Sequence, residues 1–300
     1  MNITRTTPPR PFDVTELFPQ LAPLARPATR LHPRSGAPSP HDSSIGGPLL
    51  WPARQRWPDC DKWHEGPVSP LVPVAQLYTR DVPLLRPPHR PGGHHDVLQV
   101  LWCPFEHPPE HKPPTQLFWR TAAEVTDILV TPPKPSETEY DGYLPEPCVL
   151  APEQIVEYPA FLDLDEELQQ RLSNWSNWQA GGVAVDDSYE IAPQEFYMDE
   201  LSTAPGWKVG GWPPWGLTDP IARFCIVCGA AMSPLLTIAS DEWNSGQEGW
   251  IPYEDQGDAS LDDNSAANPP GVQVADANHL QLYVCSADLG PGHPHTDLVQ

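Results

Sequence analysis

Ser44-Ile45-Gly46-Gly47-Pro48-Leu49-Leu50-Trp51-Pro52 and Lys208-Val209-Gly210-Gly211-Trp212-Pro213-Pro214-Trp215 are two versions of one phrase. Each sets a Gly-Gly pair behind a short lead and ahead of Pro and Trp. Glycine permits positive φ or close approach of two chains, and the Pro and Trp that follow fix and pack the turn. The agreement continues downstream. Cys60 stands thirteen residues beyond Gly47, and Cys225 fourteen beyond Gly211. Short apolar stretches follow, 70–77 (PLVPVAQL) in one half and 233–238 (SPLLTI) in the other. Then come 98–103 (LQVLWC) and 280–285 (LQLYVC), each with Gln four residues before Cys. Five features in a shared order indicate internal repetition, which is a signal at the level of the fold. Gly47 to Gln99 spans 52 residues and Gly211 to Gln281 spans 70. The excess of 18 falls in the Gly-, Asp- and Asn-rich stretch 245–271, read as an acidic loop insertion.

The sequence therefore predicts a β-rich α+β fold, an internal duplication of two pseudo-equivalent lobes with short strands and long Pro-rich loops. The 42 prolines argue against long helices, because proline removes a backbone donor and clashes with the preceding turn. Four regions follow: a Pro/Arg-rich, partly ordered arm over 1–43, a first lobe over 44–131, an acidic linker with one helix over 132–206, and a second lobe over 207–300. The arm's composition buries little, although Phe12, Leu17 and Phe18 offer apolar anchors. The linker helix is expected from Asp163 to about Trp178. Its acidic start suits the helix dipole, and Leu164, Leu168, Leu172 and Trp175 recur every three to four residues.

Forty acids against seventeen Lys and Arg give a formal charge of -23, which repels phosphate and anionic lipid. Direct nucleic-acid binding and a membrane surface are thereby disfavoured, and a basic protein or peptide is the favoured partner. No secretory signal or membrane span is visible, so a cytoplasmic location is expected. In a reducing compartment six cysteines read as thiols or metal ligands. Cys60 and His64, with Cys103 and His107, form two Cys-x3-His pairs, a complete tetrahedral zinc set if the fold unites them. In the second half Cys225-Ile226-Val227-Cys228-Gly229 is a Cys-x2-Cys knuckle, which Cys285 and either His293 or His295 would complete. Cys148 has no counterpart in the repeat and reads as a plain thiol.

Catalytic motifs are missing: the sequence contains no Gly-x-Ser-x-Gly elbow, Walker loop, dinucleotide fingerprint or His-Glu-x-x-His. Asp186-Asp187, Asp262-Asp263 and His94-His95 read as loop residues. The expectation is a non-enzymatic, chaperone-like or immunity-type binding protein. Its cleft between the lobes would be anchored by Trp57, Trp102, Trp212 and Trp215 and rimmed by acids. A metal-dependent enzyme built on the Cys/His ligands is the alternative.

The strings Gly46–Pro52, 73–77 (PVAQL) and 98–104 (LQVLWCP) resemble the YwqG-like (DUF1963) bacterial family. The second copy, with its Cys225–Gly229 knuckle and 280–285, is similar to the eukaryotic programmed-cell-death-2 proteins, which share with that family a proposed common domain, TYPP. The bacterial family has no established activity, and the eukaryotic proteins are dedicated chaperones of a ribosomal protein. The resemblance thus implies client binding and a Cys-based structural site at Cys225, Cys228 and Cys285. This sequence departs from it by offering His293 or His295 where a further Cys is expected.

Overall fold

The structure is a computed structural model that describes residues 4–61, 67–88, 94–183, 191–256, 266–287 and 292–300. Its strands are β1 (Arg26–Arg30), β2 (Arg34–Ser35), β3 (Ser44–Ile45), β4 (Val72–Tyr78), β5 (Val97–Trp102) and β6 (Thr115–Arg120) in the first half. In the second half they are β7 (Cys148–Val149), β8 (Glu153–Glu157), β9 (Lys208–Gly210), β10 (Met232–Ala239), β11 (His279–Cys285) and β12 (Thr296–Val299). They build two six-stranded antiparallel sheets, ordered β6-β5-β4-β3-β7-β2 and β12-β11-β10-β9-β1-β8. The fold is β-rich α+β, as expected.

Advancing every strand number by six, with β1 following β12, converts one sheet order into the other. The registers agree as well. β4 and β5 slip out of step after Pro73, which faces Leu101; β10 and β11 slip after Pro234, which faces Tyr283. Proline cannot donate to the ladder, so a bulge at that position is where a strand tolerates it. The Gln four residues before each Cys also has the same task. Gln99 Nε2 donates to the Leu50 carbonyl at 3.0 Å, and Gln281 Nε2 donates to the Pro214 carbonyl at 2.8 Å. Leu50 and Pro214 are both four residues past the first glycine of their pair.

The halves interlock instead of standing apart. β1, from the segment expected to be a loose arm, lies between β9 and β8 in the second sheet, and β7 lies between β3 and β2 in the first. A boundary drawn between lobes therefore cuts both sheets. One apolar core joins them, with Val74, Leu98, Val100 and Trp102 from one sheet and Leu236, Ile238, Leu280 and Leu282 from the other. The arm is held by charge: Arg5 and Arg34 pair with Asp255, and Arg10 stacks 3.7 Å over the Trp250 ring. Basic arm and acidic loop satisfy each other, which composition averaged over the chain conceals.

The helices are α1 (Val14–Leu17), α2 (Glu166–Leu172), α3 (Trp175–Ala180) and α4 (Pro193–Glu200). The expected single helix is cut in two, because the Asn174 side chain accepts from the Ser176 N–H at 2.9 Å and caps a new start. Leu168, Leu172 and Trp178 are buried against Phe18 and Leu21, so the apolar face of these helices packs the arm while Glu166, Glu167 and Gln170 face solvent.

Candidate metal centre

Residues 224–231 fold back on themselves through a bridge between Phe224 and Ala231. Cys225 N–H donates to the Ala230 carbonyl and Gly229 N–H to the Cys225 carbonyl, both at 2.8 Å. Gly229 completes the turn at φ +72, a conformation costly for other residues. The bend aims both knuckle sulfurs at Cys285, the last residue of β11, and His293 enters from the β11–β12 connection. Cys228 Sγ lies 3.5 Å from Cys285 Sγ, and Cys225 Sγ lies 3.4 Å from His293 Nδ1. All four ligand atoms fall within 4.8 Å of one another. Tetrahedral zinc with sulfur at about 2.3 Å separates its sulfurs by about 3.8 Å, so these spacings suit an ion at the centre. A disulfide needs sulfurs at about 2.05 Å, and none of the six cysteines forms one.

The electrostatics suit the same occupant. The backbone N–H groups of Cys228 and Val227 push the Cys225 thiol down to about 6, with His293 adding to the effect. The Ala230 N–H holds the Cys228 thiol down, but Cys285 and Cys225 outweigh it and the net direction is up. His293 is pushed up by Cys225 and Cys285. A divalent cation would take up the charge of clustered thiolates that otherwise repel one another. With four protein ligands the tetrahedron is filled, which is the form of structural rather than catalytic zinc sites. His295, the other expected candidate, is engaged elsewhere, with Nε2 at 2.9 Å from Thr115 Oγ1.

In the first half Cys60, Cys103 and His107 also bring their ligand atoms within 4.8 Å, with Cys60 Sγ 3.5 Å from His107 Nε2. All three are buried, among Leu49, Trp51, Trp57, Leu71 and Phe105. A hydrogen bond with Cys60, reinforced by burial, pushes the Cys103 thiol well up. His64 lies outside the described residues, as do Asp186, Asp187, Asp262 and Asp263. Cys148 is wholly buried in the common core, where desolvation pushes its thiol up to about 12, in keeping with a plain thiol.

The expected tryptophan anchors need correcting. Trp57 and Trp102 are buried, and their ring N–H groups donate to the Leu71 and Tyr143 carbonyls, so neither is available to a partner. Trp212 and Trp215 are half-buried and occupied: Arg26 covers the Trp212 ring at 3.3 Å, and Trp215 Nε1 donates to Asp163 at 2.8 Å. A cleft of about 700 Å³ does open between the halves. Leu84, Pro87, Pro88, Val209, Gly210 and Val284 line it with Arg86 as its charge, not tryptophans and acids.

Two features escaped the sequence reading. The first is apolar display on the knuckle itself, where Phe224 is 60 %, Ile226 85 % and Val227 58 % exposed. The Ile-Val pair between the two cysteines was its only signal. The second is a buried ionic layer. Lys208 Nζ meets Glu157 Oε1 at 2.7 Å with both side chains shut from solvent, and Arg30, His32 and Glu242 are also buried. Glu157 further accepts from the Ala204 and Trp212 N–H groups, which fastens the Gly210-Gly211 turn.

Compared with known protein families and with curated proteins, the chain matches none.

Proposed function

We propose that this protein is a non-catalytic, zinc-stapled module that binds a basic protein or peptide, built by internal duplication of a YwqG-like unit. The observation that carries the binding reading is the apolar tip of the knuckle. Phe224, Ile226 and Val227 stand in solvent on a loop whose cysteines converge inward, and Leu217 and Ile221 are exposed just before them. A turn that commits a glycine and two of the four ligand side chains to its own rigidity, then displays large apolar groups, is organised for contact. The charge of -23 favours a basic partner over a second copy of the same acidic chain. The closed ligand set supports a structural zinc and argues against the enzyme alternative.

Matching strand order, matching bulges at Pro73 and Pro234, and matching Gln99 and Gln281 hydrogen bonds support the duplication. Closely approached but unbonded Cys228 and Cys285 fit a reducing, cytoplasmic setting, and no helix among the described residues is long and apolar enough to cross a membrane. Affinity capture from a native extract tests the reading. The wild-type chain should retain a basic polypeptide that 0.5 M salt weakens, and Ile226→Asp should lose it while keeping its zinc. Equal capture by wild type and Ile226→Asp would overturn the assignment of the knuckle.

A further inference from the structure

We infer that the first half holds a second metal ion, ligated by Cys60, Cys103 and His107 at the place in its own sheet that the knuckle centre occupies in the other. Cys60 lies on the connection from β3 to β4, and Cys225 on that from β9 to β10. Cys103 directly follows β5, and Cys285 ends β11. His107 lies on the connection from β5 to β6, and His293 on that from β11 to β12. The step of six that superimposes the strand orders therefore carries three ligands of one centre onto three of the other. The strand register places the two later cysteines alike, since Trp102, beside Cys103, faces Val72, and Val284, beside Cys285, faces Ser233.

The backbone around the first set is fixed without the ion. Asp59 bridges to Pro70, Cys60 N–H donates to the Ser69 carbonyl at 2.8 Å, and His107 N–H donates to the Lys112 carbonyl at 3.1 Å. Two sulfurs and an imidazole nitrogen meeting inside an otherwise apolar cluster form a soft donor set, which selects zinc or a similarly thiophilic ion over magnesium or calcium. The ion clips the β3–β4 loop to the β5–β6 loop, as the knuckle ion clips β9–β10 to β11–β12.

The centres differ in access. Cys228 is exposed at the knuckle, whereas Cys60, Cys103 and His107 lie under Trp51, Trp57 and Phe105. A chelator can reach the first centre directly and the second only when that aromatic cover opens, so extraction proceeds in two phases separated by about tenfold or more in rate. This goes beyond the binding reading and does not require it, because metal content is read without any partner.

The test is native mass spectrometry of the full chain from zinc-replete cells, with a chelator chase followed colorimetrically. Wild type should carry two zinc ions per chain and release them in a fast and a slow phase. Cys225→Ser should keep one ion and only the slow phase; Cys103→Ser should keep one ion and only the fast phase. A wild-type chain with a single zinc, or two ions that Cys103→Ser leaves in place, overturns the inference, as does release of both ions in one fast phase. Should Cys103→Ser fail to fold, the wild-type stoichiometry and His107→Ala decide the matter.

Discussion

Beneath Trp51 and Trp57 the two ligand cysteines of the first half are sealed into the apolar interior, while Cys225 and Cys228 of the second half sit on a loop whose Ile226 faces water. The glycine turns differ in the same sense. At the first glycines an added Cβ meets a backbone oxygen in both halves, that of Pro145 at 2.3 Å for Gly46 and that of Pro27 at 3.3 Å for Gly210, but at the second glycines it meets Pro38 Cγ at 2.7 Å for Gly47 and the Glu157 carboxylate at 2.2 Å for Gly211. One half is closed around its ligand set by aromatic packing, and the other by buried charge and an exposed knuckle. A shared plan of strands leaves the means of fastening free, and the half fastened at its surface exposes Phe224, Ile226 and Val227 on the fastening loop itself.

The largest effect that separates the halves is expected from metal removal. Chelation of the knuckle centre should lower the thermal midpoint by about 10 °C or more, because binding free energy at a structural site is folding free energy. Calorimetry with and without chelator reads it, and an unchanged midpoint contradicts a structural role. Next comes the buried pair, which belongs to the second sheet alone. Lys208→Met leaves the Glu157 carboxylate buried without its cation and should cost about 3–5 kcal/mol in denaturant unfolding. A loss below about 1 kcal/mol would show that the second half does not depend on charge as argued.

Acid sharpens the same contrast. Burial holds His32 down from 6.5 to about 4, so in mildly acidic solution the unfolded chain binds the proton and the folded chain does not. Stability is then fully present above pH 6.5 and falls as the pH drops from 6.5 towards 4, by about 3 kcal/mol at most. Desolvation holds His279 down to about 4 as well, so His32→Asn should reduce that slope by about half in urea titrations across this window; an unaltered slope would assign it to other groups. Glycine substitutions give a graded series. Gly46→Ala should cost about 2–4 kcal/mol, since positive φ and a fixed carbonyl both oppose it, and Gly229→Ala only about 1 kcal/mol, since no atom lies within 4 Å. The smallest stability effect is Ile226→Asp, within about 0.5 kcal/mol of wild type, although it should abolish capture of the partner.

Much of this was legible because the two matching stretches of sequence are written in residues with narrow roles. Gly-Gly, the strand prolines, the Gln before each Cys and the cysteines each tolerate few settings, so their order gave both the β-rich class and the ligand set that converges at Cys225, Cys228, Cys285 and His293. The exchange of β1 and β7 between sheets was not legible, because β1 contains Arg26, Arg30 and Pro27 and pairs by backbone register, which composition does not report. Tryptophan misled for the opposite reason. A large ring is equally suited to core and interface, and Trp57 and Trp102 reveal their role only through buried partners for their N–H groups. His293 and His295 could be told apart only once Thr115 was seen to occupy His295.

Crystals of the zinc-replete protein, measured on both sides of the zinc absorption edge, would test the metal centre most directly. An anomalous peak is expected within about 2.4 Å of the sulfurs of Cys225, Cys228 and Cys285 and of His293 Nδ1. No peak there, or a Cys228–Cys285 disulfide in its place, would contradict it.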